Sequence, residues 1–399
     1  MAASSKQPAL ETSFKTAFAE IRKKYGSNTI MLAKDMGKVN RIPVGIPSLD
    51  LQLGGGLPMS RIIHVYGAEH AAKTFLCMQI AAALQKNKGD KMVFWLDLER
   101  SFEPIRAKQV GIDLDRLIVC RPASAEPGFD ELIEMIPYIS GGVVDSVAAI
   151  SSVTEIEGTM GDKQVGMVAA LMAKFFHKWI SDTSPEKLGD GEPPMLLLTN
   201  QLRDDIGAYV KKTKTTGGRS MRHYPSVFIE LARGPLVKLK ALDAEGEEVV
   251  IGHDVKFKIP KNNTFQPDKT GSFMLSTKPH NLGGYTLLAN QVDWPKDLLK
   301  YAVHYEVIKK SGSWHEFTGK HSFKAQGKLE AQAHLYNDGA LAAEIYDLTL
   351  QVIRQQHGLE EQKNVSAKVS NTPKVEKPGK KGCKKFGRQD KGGEREQVV

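Results

Sequence analysis

The sequence predicts an α/β fold: a mostly parallel, twisted sheet flanked by helices, with a helix before it and a small α+β domain after it. Short apolar runs, such as those in RIIHVYG, KMVFWLDLE and PMLLLTNQLR, alternate with longer helical stretches from about residue 41. Continuous apolar strands alternating with helices are typical of a parallel sheet that is covered on both faces. At 399 residues the chain is long enough for one large core and one or two smaller pieces.

Changes of composition and pattern divide the chain into four predicted segments. The final segment is rich in Lys, Gly and Pro and poor in large apolar groups, so it cannot offset the entropy of ordering and is predicted to be a disordered basic tail. The segments are 1–40 with an N-terminal helix, 41–270 with the α/β core, 271–357 with the α+β domain and 358–399 with the tail.

The predicted N-terminal helix is amphipathic. Phe14, Phe18 and Ile21 are spaced i, i+4 and i+7, so they share one apolar face, and the opposite face is rich in Lys. An isolated helix of this kind must be covered, either by the protein's own core or by a neighbouring subunit.

Composition excludes several classes of protein. No apolar stretch is long enough to span a bilayer, and the start lacks the basic-then-apolar pattern of a secretory signal, so we expect a cytoplasmic protein that does not bind membranes. The three cysteines include no C-x-x-C pair, and Cys77 and Cys120 fit apolar core patterns. A net charge of +9 favours a polyanionic partner, although a solvated basic surface would carry the same charge.

Residues 67–74 (GAEHAAKT) resemble a phosphate-binding loop, whose usual pattern is G-x-x-x-x-G-K-[ST]. Gly67, Lys73 and Thr74 match that pattern, whereas Ala72 stands at the second glycine. In such loops, backbone N–H groups and a helix N-terminus bind the phosphates, and the Lys side chain adds a positive charge. The hydroxyl group of the following Ser or Thr binds Mg²⁺. A left-handed backbone at Ala72 would cost about 1–2 kcal/mol. We therefore expect a nucleotide site with reduced affinity. A direct clash between the methyl group and a phosphate oxygen would reduce that affinity further.

Two acidic residues at predicted strand ends suit an ATP-hydrolysing site. Glu99 follows MVFWLDL and suits a group that orients or deprotonates the attacking water, and Asp145 follows Val143 and Val144 and suits a Mg²⁺ carboxylate. Either residue alone could be an exposed strand-end carboxylate. The ordered set of phosphate loop, Glu99 and Asp145 rarely arises by accident.

A series of segments around this loop resembles the RecA family of homologous-recombination ATPases over roughly residues 10–350. The resemblance implies a RecA-type core, an N-terminal helix that packs on the adjacent protomer, and ATP and Mg²⁺ as cofactors. It also implies helical filaments on single-stranded DNA that pair this strand with a homologous double-stranded DNA. The matching segments are GIPSLDLQLGGGLPMSRIIHVYG, VDSVAAI, EIEGTMGDKQVGMVAALM, LTNQLR, TTGG and EVIKKSGSWHEFTGK.

The resemblance also implies individual roles. Glu99 matches the catalytic base, Lys73 a phosphate-binding catalytic residue, and Gln201 the residue that senses the γ-phosphate and couples it to the DNA loops. Thr74 and Asp145 serve the metal. The implied nucleotide contacts are Gly67, Ala68, Glu69, His70, Ala71, Ala72, Lys73, Thr74, Glu103, Arg106 (in place of an adenine-stacking tyrosine) and Lys261 (reaching the neighbour's ATP).

Two loops, 155–166 and 205–219, are implied to bind DNA. The second contains KKTKTTGG, whose charges and backbone N–H groups suit sequence-independent phosphate contacts, with a solvated turn as the alternative. The candidate DNA-binding residues are Glu155, Ile156, Glu157, Gly158, Thr159, Met160, Gly161, Arg203, Lys211, Lys212, Lys214, Thr215, Thr216, Gly217, Gly218 and Arg219.

Several positions depart from the family's pattern. The strand before Asp145 is expected to be clipped by several residues, or its entry rebuilt through Ser140, Gly141 and Gly142, because only two apolar residues precede the aspartate. The tail is basic where the family's is acidic. Further departures are Ala170, His177, Asp204, Asp205 and Asn263.

The leading interpretation is a DNA-dependent ATPase that performs strand exchange in recombination and DNA repair. Recombination mediators or a self-cleaving repressor are further expected partners. The alternative is a catalytically weak RecA-like paralogue that acts as a structural or regulatory DNA-binding protein. A helicase or other motor with a similar core is disfavoured, because the loops that begin EIEG and contain TTGG match the strand-exchange pattern.

Overall fold

The structure is a computed structural model of the chain. The described residues are 6–26, 29–151, 153, 166–189, 191–204, 213–242 and 248–357. Residues 155–165 of the first predicted DNA loop, residues 205–212 of the second and the predicted tail (358–399) lie outside them. Among the described residues, no helix has the length and apolar character needed to cross a membrane.

The strands form one large sheet and three small ones. Their bounds are β1 (Arg41–Ile42), β2 (Leu57–Pro58), β3 (Ile62–Gly67), β4 (Met92–Asp97), β5 (Leu117–Cys120), β6 (Ile139–Asp145), β7 (Met195–Asp204), β8 (Thr213–Thr215), β9 (Val227–Leu242), β10 (Glu248–Asn262), β11 (Lys269–Ser276), β12 (His280–Asn281), β13 (Thr286–Leu287), β14 (Lys309–Ser311), β15 (Trp314–Phe317) and β16 (Phe323–Gln326).

The helices alternate with the strands of the large sheet and then cluster near the C-terminal end of the described chain. Their bounds are α1 (Lys6–Tyr25), α2 (Pro47–Gln52), α3 (Lys73–Asn87), α4 (Pro104–Val110), α5 (Ala125–Glu134), α6 (Met167–Asp182), α7 (Pro185–Leu188), α8 (Ser220–His223), α9 (Trp294–His304), α10 (Lys328–Asn337) and α11 (Gly339–Gln356).

The large sheet confirms the predicted α/β class. Its strand order is β11-β10-β9-β3-β7-β6-β4-β5, and β8 pairs with β7 beside this path. Strands β9, β3, β7, β6, β4 and β5 pair in parallel, whereas β10, β11 and β8 pair antiparallel. Because β3, β4, β6 and β7 run in one direction, their carboxyl ends meet at one edge, where sheets of this kind bind ligands.

Two hydrophobic clusters cover the two faces of this sheet. Trp95 of β4 joins Phe75 of α3 in one cluster, and the neighbouring Phe94 joins Phe129 of α5 and Phe176 of α6 in the other. Successive side chains of a strand point to opposite faces. The continuous apolar character of these strands is therefore explained by burial on both sides.

The strand before Asp145 is not clipped, and its entry runs through Ser140, Gly141 and Gly142, the second of the two expectations. β6 has seven residues, all buried, and runs through the two glycines that precede Val143. A Cβ at Gly141 would lie 2.6 Å from Cδ1 of Leu84, and one at Gly142 would lie 2.7 Å from Cδ1 of Leu132. The entry is instead built through small residues because α3 and α5 approach the strand closely from opposite faces.

The boundary predicted after residue 270 falls within β11. β11 continues to Ser276 and pairs with β10 over eight residue pairs, so the sheet extends past that point. Beyond it, α9, α10, α11 and the three-stranded sheet β14-β15-β16 form a core that includes Leu298, Phe317 and Leu335. Leu51 of α2 joins this core and links it to the segment before the phosphate loop.

Two fully buried carboxylates hold α2 in place. Asp50 accepts hydrogen bonds from the backbone N–H groups of residues 44–46 at 2.8, 3.0 and 3.2 Å, and Asp297 of α9 accepts one from Ser48 N at 2.7 Å. Burial raises the pKa of each carboxyl to about 7 despite these donors. Asp297 thus joins the start of α2 to α9, and Asp50 joins α2 to the residues just before it.

His64 of β3 is buried, and neither ring nitrogen has a hydrogen-bond partner among the described residues. Its ring lies 5.0 Å from the ring of Tyr66 and 5.2 Å from that of Phe228, between centroids. Burial lowers its pKa from 6.5 to about 3. The imidazole is therefore neutral in the folded protein over the whole physiological range.

We expect this histidine to make the fold sensitive to acid. Since its pKa is lower in the folded chain, the unfolded chain binds more protons, and stability falls as pH drops from 6.5 towards 3, by up to about 1.4 kcal/mol per pH unit. His64→Phe removes this effect. Urea unfolding at pH 7, 6 and 5 should show a stability difference, variant minus wild type, that grows with acidity. A stability difference that is the same at pH 7, 6 and 5 would show that His64 does not cause the acid sensitivity.

Candidate functional site

The phosphate loop lies where the structure's topology favours ligand binding. Residues 67–74 connect the carboxyl end of β3 to α3, which begins at Lys73. Gly67 is tightly enclosed, since a Cβ there would lie 2.1 Å from the carbonyl oxygen of Leu231 in the neighbouring β9. Residues 68–70 are exposed and Ala71 is buried. The loop is thus anchored at its first residue and open in its middle.

Ala72 has the left-handed conformation that the usual glycine would supply, with φ 68° and ψ 27°. For an alanine this conformation costs about 1 kcal/mol or somewhat more. Its methyl group packs against the main hydrophobic cluster, and burying one such group contributes about 0.8 kcal/mol. The two effects are similar in size and opposite in sign, so the loop keeps its form with alanine at this position.

The substitution Ala72→Gly is therefore expected to change stability and ATP affinity only slightly. The variant relieves the backbone strain but loses the methyl contact, so its free energy of unfolding should change by less than about 1 kcal/mol. Its dissociation constant for ATP should change by less than about tenfold. Denaturant unfolding and calorimetric titration check the two values.

Ala72→Val serves as the matched control, because a β-branched side chain in a left-handed backbone is strained. It should destabilise the protein by more than the glycine variant does. A gain in ATP affinity far above tenfold in Ala72→Gly would mean that the methyl group obstructs the phosphates.

Lys73 lies over the loop with its amine engaged. Its Nζ donates to the carbonyl oxygens of Gly67 at 3.2 Å and Ala68 at 2.8 Å. Partial burial lowers its pKa, while the nearby carboxylates of Glu99 and Asp145 act in the opposite direction. The ammonium group is thus placed between the loop backbone and the acidic residues of the adjacent strand ends.

Asp145 ends β6 beside the loop and accepts two hydroxyl groups. Thr74 Oγ1 donates to one carboxylate oxygen at 3.1 Å, and Thr199 Oγ1 of β7 donates to the other at 2.6 Å. Burial raises the pKa of Asp145 to about 6, and the charge of Glu99 adds to this, although the two hydroxyl groups oppose it. A bound cation would stabilise the ionised carboxylate.

The oxygen atoms of Thr74 and Asp145 fit Mg²⁺. This hard cation prefers oxygen ligands, keeps several waters, and usually takes one or two carboxylates plus the phosphates of the nucleotide. The described residues contain no group of three His, Cys, Asp or Glu side chains that could hold a metal by themselves. The arrangement is therefore suited to a cation that is held jointly with a phosphate ligand.

Glu99 lies on the exposed turn after β4 and is held by two polar side chains. Ser146 Oγ donates a short hydrogen bond to Glu99 Oε1, and Gln201 Nε2 lies 3.5 Å from the same oxygen. The backbone N–H groups of Leu98 and Glu99 donate to the carbonyl oxygen of Asp145 at 2.8 and 3.3 Å. The two predicted acidic residues, Glu99 and Asp145, thus lie side by side at the same edge of the sheet.

Gln201 is connected to the second predicted DNA loop. Its backbone N–H donates to Asn200 Oδ1 at 2.9 Å, and Asn200 Nδ2 donates to the carbonyl oxygen of Thr216 at 2.8 Å. A short chain of hydrogen bonds therefore joins Glu99, β7 and Thr216 of that loop.

Part of the region expected as a loop over 205–219 is a strand. β8 pairs antiparallel with the end of β7, with Arg203 opposite Lys214 in the register. The two strands extend beyond the parallel sheet, and Lys211 and Lys212 fall outside the described residues between them.

The Gly-Gly pair after β8 has a packing role. Gly217 has φ 100°, and a Cβ there would lie 2.5 Å from Cγ of Met221. Gly218 has φ 71°, and its Cβ would lie 2.6 Å from Cβ of Ala169 in α6. The following Arg219 is exposed. The glycines therefore allow the turn to approach α6 and α8, while Arg219 stays accessible.

Three predicted nucleotide contacts make hydrogen bonds to other parts of the chain. Glu103 caps α4 by accepting a hydrogen bond from its backbone. Arg106 Nε donates to Asn290 Oδ1 at 3.2 Å, and Lys261 Nζ donates to two carbonyl groups of α8 at 3.1 and 3.3 Å. None of these contacts involves residues 67–74.

The comparisons with known proteins agree with this geometry. A family model described as the RecA N-terminal domain matches residues 12–277. The chain belongs to the RecA family. It is 33% identical over 368 residues to Protein RecA of Francisella philomiragia subsp. philomiragia, covering 90% of this chain and 93% of that protein. It is 32% identical over 341 residues to Protein RecA of Clavibacter michiganensis subsp. michiganensis, covering 84% and 86%.

One solved structure similar to this RecA-family chain is described as the RadB recombinase. It is 18% identical, with a TM-score of 0.42, and the match covers 59% of this chain and 96% of that one.

Several polar residues around this RecA-type site were missed by sequence reasoning. Ser146 directly follows Asp145 in the sequence. Thr199 and Asn200 come just before Gln201, within the segment LTNQLR, so closeness in sequence was the available signal. The contact between Asp97 and Arg121 has no signal in the local sequence, because it depends on the packing of β4 beside β5.

Proposed function

We propose that this protein is a DNA-dependent ATPase that forms ATP-bound filaments on single-stranded DNA and exchanges strands with a homologous duplex in recombination and repair. The observation that carries the proposal is the convergence of Lys73, Thr74, Glu99 and Asp145 at one edge of the sheet. Membership of the RecA family supports it at the level of recombination.

Each residue has a role that its position supports. The loop backbone and Lys73 bind the phosphates of ATP, and Thr74 and Asp145 hold Mg²⁺, which neutralises phosphate charge when bound. Glu99, on an exposed turn beside them, orients the attacking water and accepts its proton. Thr199 and Ser146 fix the orientation of the two carboxylates.

The link through Gln201 supports a coupling between DNA and ATP. Gln201 lies 3.5 Å from Glu99 Oε1, and its neighbour Asn200 is bonded to the Thr216 carbonyl at the end of the second loop. DNA binding at that loop would change the position of Gln201 and, with it, that of Glu99. Hydrolysis would then respond to bound DNA.

The N-terminal helix supports assembly into filaments. On α1, the side chains of Phe14 and Ile21 are 51% and 40% exposed, although they belong to the apolar face. We propose that this face packs on an adjacent protomer, and that Lys261 reaches the ATP bound there. Assembly would then depend on the nucleotide.

ATP turnover with and without single-stranded DNA tests the proposed function. We expect DNA to stimulate turnover, with a strong dependence on salt because the contacts are to phosphates. Turnover that DNA does not change would reject this proposal and favour a DNA-binding protein without DNA-linked hydrolysis.

A further inference from the structure

The turn that carries Glu99 is held by a buried carboxylate. Asp97 is the last residue of β4, and its side chain is 0% exposed. It accepts hydrogen bonds from the backbone N–H groups of Ser101 at 2.9 Å and Phe102 at 3.1 Å. These bonds close the turn over residues 98–102. Within it, Arg100 has a φ of 55°, a conformation that persists only where the surrounding structure imposes it.

Arg121 holds the same turn from the neighbouring strand. It directly follows β5, and its Nε donates to Asp97 Oδ2 at 2.8 Å. Its Nη2 donates to the carbonyl oxygen of Phe102, also at 2.8 Å. One guanidinium therefore bonds to the side chain at the start of the turn and to the backbone at its end, a geometry that the planar fork of arginine allows.

We propose that Arg121 is a positioning residue for ATP hydrolysis, acting through Asp97 on the turn that places Glu99. The inference rests on the proposed function, because it assigns Arg121 to the same reaction. Glu99 is exposed, and among the described residues two polar side chains bond to its carboxylate, so its place relative to the phosphates depends on the backbone of the turn. A displacement of about 1 Å in a reacting group can cost about a hundredfold in rate.

The ion pair contributes more to the position of the turn than to global stability. The side chain of Arg121 is 46% exposed, so water can partly replace its charge beside Asp97 when the arginine is removed. Asp97 keeps its two backbone donors when Arg121 is replaced. Loss of the arginine should therefore loosen one turn while the sheet stays folded.

Steady-state ATP hydrolysis on single-stranded DNA tests this role. Arg121→Gln should lower kcat by roughly tenfold and leave KM for ATP within about twofold, since the loop that binds phosphates is untouched. The kcat of Arg121→Lys should lie between those of wild type and Arg121→Gln, because a single amine cannot bond to both Asp97 and Phe102. Lys187→Gln, which removes a lysine from the exposed pair with Asp182, is the matched control and should keep the wild-type kcat.

A second background separates positioning from general damage to the fold. When Glu99 is replaced by Gln, adding Arg121→Gln should not lower the single-turnover rate further. A further tenfold loss there, or an unchanged kcat in Arg121→Gln alone, would overturn the proposal while leaving the ATPase assignment intact. A wild-type protein that does not hydrolyse ATP on DNA would instead overturn the proposed function, and this inference with it.

Discussion

Glu99→Gln is expected to lower ATP turnover on single-stranded DNA by roughly a thousandfold, the middle of the range that general base catalysis contributes. Glutamine keeps the shape of the side chain and can still accept the hydrogen bond from Ser146, but it cannot take a proton from water. ATP affinity should stay within a few-fold, because Glu99 lies beside the phosphate loop rather than in it. The loss should therefore appear in kcat alone.

The matched control for this change is Glu316→Gln, at an exposed position of the small C-terminal sheet. It removes one carboxylate without touching the strand edge that carries the site, so its turnover should equal that of wild type. If Glu99→Gln kept turnover within about threefold of wild type, another group would have to activate the water. The assignment of Glu99 would then be wrong.

Lys73→Met is expected to weaken binding of ATP with Mg²⁺ by roughly a hundredfold. Charge-assisted hydrogen bonds to phosphate are about twice as strong as neutral ones, and partial burial strengthens the attraction between the ammonium and the phosphates. Methionine has a similar length and leaves the start of α3 filled. The folded state should therefore survive, and the effect should be confined to binding.

Lys86→Met provides the control, because Lys86 is exposed at the opposite end of the same helix. It changes the net charge by the same amount and should not change ATP affinity. Calorimetric titration of both variants measures the difference. Equal dissociation constants for Lys73→Met and wild type would show that the triphosphate does not bind at this loop.

The phosphate loop and the two strand-end carboxylates could be predicted because local patterns determine them. An apolar strand, a loop of fixed spacing and an apolar helix place Lys73 and Thr74, and parallel strands bring Glu99 and Asp145 to the same edge. The left-handed backbone at Ala72 also followed from the loop pattern. The methyl contact that offsets the cost of this backbone was not predicted, since it depends on a core assembled by distant parts of the chain.

Features that depend on distant packing were not predictable. The sequence left open whether the strand is shortened or its entry is rebuilt through Gly141 and Gly142, because the close approach of Leu84 and Leu132 from helices on opposite faces leaves no local signal. The predicted boundary at residue 270 falls within β11, whose pairing with β10 leaves no local signal. Likewise, the contact between Asp97 and Arg121 joins residues that are adjacent only through the pairing of β4 with β5.

The most direct test of the central claim is calorimetric titration of the wild-type protein with ATP and Mg²⁺. The claim is that the phosphate loop accepts a triphosphate although alanine replaces its second glycine. We expect saturable binding of one nucleotide per chain, with a dissociation constant below about a millimolar, or about −4 kcal/mol, and with binding weakened in Lys73→Met. No heat of binding at millimolar ATP would contradict the claim.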